Sequence, residues 1–155
     1  RNTSRMPWPY ALGDAEAFLR TPQAPRTPSL LVFVHEGDDI RLVGGAGLHH
    51  SDEGGHELGY WITPDAWGRG YATEAARAVL AIADTLRIPE VSACHFVDNA
   101  ASGRVLRKLG FHQTEEQALA PCRARGSEVP AMHYRRQRAG TAALPDISDA
   151  PPLAA

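Results

Sequence analysis

The apolar positions of this chain fall into short runs whose period changes along its length. Ala72, Ala76, Val79, Ala83 and Leu86 recur at spacings of three and four, which predicts a helix over Ala72 to Leu86 with one buried face. Asp14 to Arg20 predicts a shorter helix, with Ala15, Phe18 and Leu19 at helical spacing. Leu30 to His35 is a compact apolar run that predicts a strand, and Glu36-Gly37-Asp38-Asp39 turns it back. Ile40 to Leu48 is the returning strand, in which Gly44-Gly45 predicts a bulge or a close backbone approach. Ser51 to Gly55 is a turn and Glu57 to Ile62 a third strand. Tyr60 and Trp61 alternate faces there, so one of them belongs to the core. Val91 to Val97 predicts a short strand. Asp98 or Asn99 then caps a helix over Ala100 to Leu109, which Gly110 closes. Phe111 to Glu115 and Ala131 to Arg136 predict two final strands. Prolines at 7, 9, 22, 25 and 28 exclude regular structure around the first helix. The order is helix, three strands, helix, strand, helix, two strands. It predicts a mixed α/β (α+β) layer and not a regular βαβ repeat.

Composition narrows the picture. The 155 residues fit one domain, and 43% hydrophobic residues can bury a substantial core. A formal net charge of −2 offers no global basic field for nucleic acid, although Arg104, Arg107 and Lys108 cluster, as do Arg135, Arg136 and Arg138. Cys94 and Cys122 lie far apart without metal-ligand spacing, and Cys94 reads as a small core residue. No run approaches the roughly 18 apolar residues of a membrane helix, and no signal peptide is visible, so a soluble cytoplasmic protein without membrane partners is expected. Residues 139–155 are rich in Ala, Pro and Asp without amphipathic period. They are expected to form a flexible tail behind a domain spanning 1–138.

The chemistry concentrates in Trp67-Gly68-Arg69-Gly70-Tyr71-Ala72, between a strand and the mouth of the long helix. A helix N-terminus exposes unpaired N–H groups and about half a positive charge, and glycines let backbone wrap closely around a phosphate. Arg69 adds a cation, and Ala72 is small. The competing reading is an ordinary strand-to-helix loop that contains two glycines. A Walker P-loop is excluded by the missing Gly-Lys-Ser/Thr, and a dinucleotide fingerprint by Thr73 where a third glycine belongs.

This segment resembles the acetyl-CoA loop of the GNAT (Gcn5-related N-acetyltransferase) family, Gln/Arg-x-x-Gly-x-Gly/Ala. The glycine and final Ala match, and Trp67 departs from the first position. A second family block, Asn-x-x-Ser/Ala … Lys-x-Gly-Phe, stands as Asn99-Ala100-Ala101-Ser102 … Lys108-Leu109-Gly110-Phe111. Gly59-Tyr60-Trp61 before the loop, with the Asn-x-x-Ser form, is most similar to the ribosomal-protein-alanine N-acetyltransferase branch. The resemblance covers about Met6 to Arg136. It implies a mostly antiparallel central sheet with helices on both faces. It also implies that the usual first strand and helix precede this chain, which begins at Arg1.

The resemblance implies direct transfer of an acetyl group from acetyl-CoA to a primary amine, either a protein N-terminal amine or a small-molecule amine, without a metal. Backbone around Trp61, Ile62 and Thr63 would hold the acetyl and pantetheine arm. Trp67, Gly68, Arg69, Gly70, Tyr71, Ala72 and Thr73 would hold the pyrophosphate, and Asn99 would contact the pantetheine arm or serve only as helix cap. An α-amine titrates near 8, so about a tenth is neutral at pH 7 and a modest base suffices. Glu57 is the candidate base, against a plain exposed strand carboxylate. The family's usual tyrosine, the acid for the leaving thiolate, is replaced by Leu106, and Ser102 is the nearest substitute. His49, His50 and His56 read as exposed strand-end histidines. Trp8 and Tyr10 either line the acceptor groove or form a packing plug. GNAT relatives are often dimers, which makes a homodimer an expected assembly. A second class of function stands beside the enzyme: a catalytically silent CoA-binding module.

Overall fold

The computed structural model describes residues 3–51, 54–138 and 140. Its elements run α1 (Leu12–Arg20), β1 (Ser29–Glu36), β2 (Asp39–His50), β3 (His56–Ile62), a 3-10 turn (Pro64–Ala66), α2 (Tyr71–Thr85), β4 (Glu90–Phe96), α3 (Ala100–Lys108), β5 (His112–Cys122) and β6 (Ser127–Gln137). Six strands form one sheet in the order β1-β2-β3-β4-β6-β5. All neighbours are antiparallel except β3 and β4. This is the mixed α/β, mostly antiparallel architecture expected from the sequence. The predicted tail, 139–155, lies outside the described residues apart from Gly140, as do Asp52 and Glu53 of the third turn.

The core forms where α2 and α3 press on one face of β2, β3 and β4. Ala76, Val79, Leu80 and Ala83 of α2 meet Ala46, Leu48, Leu58, Val91 and Ala93 of the strands, and Leu106 of α3 joins them. Each fully buried Val or Leu contributes about 1.5–3 kcal/mol relative to exposure, so this seam anchors the helix mouth to the sheet. Leu86, predicted on the buried face, is 37% exposed. The helix stops at Thr85, and Arg87 turns the chain through a positive φ of 55°. Ile88, 1% exposed, takes the core position instead.

The predicted stripe on the first helix is also not a buried face. Helix α1 starts two residues early, at Leu12, because the Asp14 carboxylate accepts the Ala11 N–H at 2.9 Å. None of its residues is buried, and Leu19 is 71% exposed. The last two strands run well beyond 111–115 and 131–136. Cross-strand pairing continues to Cys122 opposite Ser127, carrying Pro121 and Pro130 within it. Pro121 is tolerated because β5 is an edge strand.

Gly44 and Gly45 realise both predicted roles. The register slips where Val32 faces Gly44 but Phe33 faces Leu42, leaving Val43 as an extra residue. A Cβ on Gly44 would stand 2.3 Å from the Trp61 carbonyl oxygen, so β2 and β3 touch backbone to backbone at the end of β3.

Candidate active site

Strands β3 and β4 are hydrogen-bonded over only two residue pairs, His56 with Val91 and Glu57 with Ser92. Beyond Glu57 the strands part, and Leu58 to Ile62 run beside β2 alone. The backbone on that open side follows from alternation. Thr63 N–H donates to Val43 carbonyl at 2.8 Å, so Thr63, Trp61, Gly59 and Glu57 turn their peptide groups toward β2. Leu58, Tyr60 and Ile62 turn theirs into the gap. The sequence pointed to Trp61, Ile62 and Thr63. The register turns the peptide groups of Ile62 and Tyr60 toward the gap and the N–H groups of Trp61 and Thr63 toward β2.

The gap opens toward the glycine loop. The Trp67 indole N–H donates to the Ile62 carbonyl at 2.7 Å, tying the loop to the end of β3. Gly70 is the N-cap of α2 at φ 89°, a left-handed conformation that glycine adopts without steric cost. Its carbonyl accepts from Thr73 and Glu74 at 2.9 and 3.1 Å, which leaves the N–H groups of Tyr71 and Ala72 as outward donors of the first turn. Arg69, Gly70, Thr73, Glu74, Arg77 and Lys108 line an open depression of about 550 Å³ at this mouth. Arg69 forms its rim, 3.6 Å from Glu36. Glu36 also pairs with Arg41, and Arg41 with Asp65. Arg77 was not singled out from sequence, and Lys108 stood out there only in a basic cluster and in the second family block. The spacing of four from Thr73 to Arg77 places both on one side of α2, and that was a readable signal.

The predicted catalytic trio does not form one cluster. Glu57 and Tyr60 are three positions apart on a strand, so they project from opposite faces. On the α2–α3 face, Tyr60 spans the gap. Its hydroxyl lies 2.7 Å from Ser102 Oγ and donates to the Ser102 carbonyl at 3.2 Å. Burial pushes the Tyr60 phenol up to about 12, against the lowering effect of Ser102, so the hydroxyl stays protonated. Asn99, not Asp98, caps α3, its side chain accepting the Ser102 N–H at 3.4 Å. Asp98 is held instead by the two terminal guanidinium nitrogens of Arg125, at 2.8 and 3.1 Å. Leu106, at the family's tyrosine position, is in the core at 1% exposure.

On the other face lies Glu57, flanked by His49 and Cys94. Oε2 is 3.1 Å from His49 Nε2, and Oε1 accepts from Cys94 Sγ at 3.3 Å. Burial raises the Glu57 pKa, but hydrogen bonds from His49 and Cys94 and the nearby positive charges outweigh it, and the carboxyl ends below its ordinary value. Two readings from sequence are corrected here. His49 is no exposed bystander, since its side chain is three-quarters covered and pairs with Glu57. Cys94 is more than a small core residue: it is only partly buried and faces the carboxylate, and burial followed by that charge pushes its thiol up to about 12. Trp8 and Tyr10 are both exposed, so neither plugs a core.

A profile of the acetyltransferase (GNAT) domain matches residues 1–112 of the chain. The chain belongs to the GNAT family. This GNAT domain is 34% identical over 100 residues to the Bacillus subtilis protein named "Putative ribosomal N-acetyltransferase YdaF", covering 62% of this chain and 51% of that one. It spans about half the length of the curated relatives it matches. Among solved structures it resembles the ribosomal-protein-alanine N-acetyltransferase of Brucella melitensis, with a TM-score of 0.67 and 18% identity over 82% of this chain and 78% of the other. It also resembles yncA of Salmonella typhimurium, solved with its cofactor acetyl-CoA, with a TM-score of 0.56 and 22% identity over 68% and 62% of the two chains. At these identities the two structures establish a shared fold. Among the described residues, no helix is long and apolar enough to cross a membrane.

Proposed function

We propose that the domain transfers an acetyl group from acetyl-CoA to a primary amine, directly and within a ternary complex. The observation that carries this reading is the parting of β3 from β4 after two rungs, opening toward a cationic helix mouth. An extended arm that carries amides finds open backbone groups at Tyr60 and the open N–H of Ile62, whose carbonyl is taken by the Trp67 indole. A pyrophosphate finds the first-turn N–H groups of Tyr71 and Ala72 with Arg69, Arg77 and Lys108 around them. The fold shared with yncA, solved with acetyl-CoA, supports the same ligand here.

The two faces divide the chemistry. An amine that approaches from the Glu57–His49 face meets groups able to take its proton. The sulfur leaving on the opposite face meets the protonated Tyr60 hydroxyl and Ser102, and a thiol near 8.5 also accepts a proton from water. An α-amine is the acceptor this site suits best, because it sheds its proton far more readily than a lysine. The ribosomal naming of YdaF and of the Brucella protein supports a protein N-terminus in that role. The cytoplasm, where acetyl-CoA meets new N-termini, is the setting the reaction requires.

The test is acetyl-CoA binding by calorimetry, wild type beside Arg77→Glu, followed by thiol release in the presence of N-terminal amines. Arg77 is exposed on α2, so reversing its charge leaves the core alone. Micromolar binding weakened at least tenfold by Arg77→Glu, followed by turnover, is the expected result. Binding without turnover of any amine would leave a silent CoA-binding module. No binding by the wild type would sink the reading altogether.

A further inference from the structure

We infer that His49 is the group that takes the proton from the attacking amine, with Glu57 acting on the reaction through it; this rests on the acetyl-transfer reading above. The imidazole bridges β2 and β3. Its Nε2 is 3.1 Å from Glu57 Oε2. Its other edge lies over Gly59, where an added Cβ would stand 3.4 Å from Cε1 and 3.7 Å from Nδ1. Gly59 follows Glu57 on the same face of β3, in the direction in which the gap widens. One ring nitrogen is therefore held at the closed end of the gap, and the other is turned along its lip.

Glu57 suits the supporting role better than the acid–base role. Both its oxygens are engaged, one by His49 and one by the Cys94 thiol. A carboxylate held in this way is a poor proton acceptor for an ammonium. It is a good acceptor for the Nε2–H of an imidazole, and that bond selects the tautomer whose Nδ1 carries the lone pair. The titratable groups around His49 are Glu57 from β3, Cys94 from β4 and the Arg5 guanidinium from the N-terminal segment, whose charge acts on both. The His50 and His56 rings, 5.2 Å apart, project from the opposite face.

The step balances without any redox partner. The amine nitrogen lone pair forms a bond to the thioester carbonyl carbon. The carbon–sulfur bond breaks, and sulfur leaves with its electron pair. The proton on nitrogen moves to His49 Nδ1, giving an imidazolium beside ionised Glu57, and passes to solvent as the amide departs. The sulfur is protonated on the other face. The glycine rung of Gly47 and Gly59, lying between His49–Glu57 and Trp61, leaves the amine unobstructed by side chains of its own.

The experiment is steady-state thiol release by the full chain over a pH series, with acetyl-CoA and N-terminal peptide amines. Wild type is compared with His49→Gln, His49→Ala and Glu57→Gln, each checked for fold by circular dichroism. His49→Gln is expected to lower kcat by about 100-fold or more, to leave the acetyl-CoA Kd within about twofold, and to abolish the acid limb of the kcat profile, while the free amine's own ionisation near 8 keeps an acid limb in kcat/KM. Imidazole in the buffer is expected to restore part of the His49→Ala rate and none of the wild type's. Glu57→Gln is expected to retain the limb with a smaller loss. Near-wild-type kcat and an intact limb in His49→Gln, with the limb lost in Glu57→Gln, would make Glu57 the base and overturn the inference while acetyl transfer stands. A wild type that neither binds nor consumes acetyl-CoA removes the acetyl-transfer reading itself, and this inference with it.

Discussion

Replacing Gly44 with alanine adds one methyl group at the tightest point between β2 and β3. The added carbon would sit 2.3 Å from the Trp61 carbonyl oxygen, 2.6 Å from Ile62 Cδ1 and 3.3 Å from Ile62 Cα. Ile62 Cδ1 can rotate away, but the carbonyl oxygen is backbone and cannot. Reaching an ordinary contact requires the strands to separate by about an ångström, and the neighbouring Thr63–Val43 bond of 2.8 Å does not survive that. Overpacking costs about 1–3 kcal/mol, and each lost backbone bond about 1 kcal/mol more. A total near 3 kcal/mol follows, which is a large share of a typical 5–15 kcal/mol. Urea unfolding followed by circular dichroism should show a lower midpoint at unchanged slope, and the melting temperature should fall by about 10 °C. Gly59→Ala is the control. Its added carbon meets only the His49 ring at 3.4 Å, so a shift within about 0.5 kcal/mol of zero is expected. A Gly44→Ala midpoint as close to wild type as that control would refute the claim that backbone contact sets the spacing of these strands.

Two further predictions follow from the Glu57 neighbourhood. With its thiol pushed up to about 12 against 9.0 for an unperturbed thiol, Cys94 should carry about a thousandfold less thiolate than a free cysteine at pH 8. Peptide mapping after iodoacetamide treatment should show it unmodified in the native protein and modified in denaturant, and rapid native labelling would show that the thiol does not face the carboxylate. Glu57 has a lowered folded pKa, so its ionisation adds stability above the unfolded carboxylate value of about 4.3, and that contribution is lost as pH falls through the folded value. Wild type should therefore lose more stability than Glu57→Gln between about pH 5 and 3, and parallel curves for the two proteins would contradict the assignment.

The elements were legible in the sequence wherever local signals and tertiary demand agreed. Val79 and Ala83 repeat at helical spacing and are buried, and Asn99 caps its helix because its side chain reaches a first-turn N–H. The glycine loop was legible for the same reason, since a left-handed N-cap at position 70 is a local requirement. The stripe of α1 misled because spacing reports what a helix could bury and not whether a partner surface is there. The division of the site was not legible at all. That His49 meets Glu57 depends on the β2–β3 register, eight residues around a turn, and a shift of one residue would send His49 to the other face. Tyr60 was read as half of a core alternation. Its contact with Ser102 joins residues 42 apart, which no local pattern encodes.

The two-rung joint between β3 and β4 has a mechanical consequence. The sheet is effectively two three-stranded plates, β1-β2-β3 and β4-β6-β5, stitched at one corner and backed by α2 and α3. The backbone joint alone leaves the plates free to splay beyond Glu57 and Ser92, and the helices packed behind both plates are what hold them together. An extended molecule lodged along the open seam would stiffen the whole joint. Amide exchange at Tyr60 and Ile62 should then slow most when the seam is filled, far more than at the outer strands.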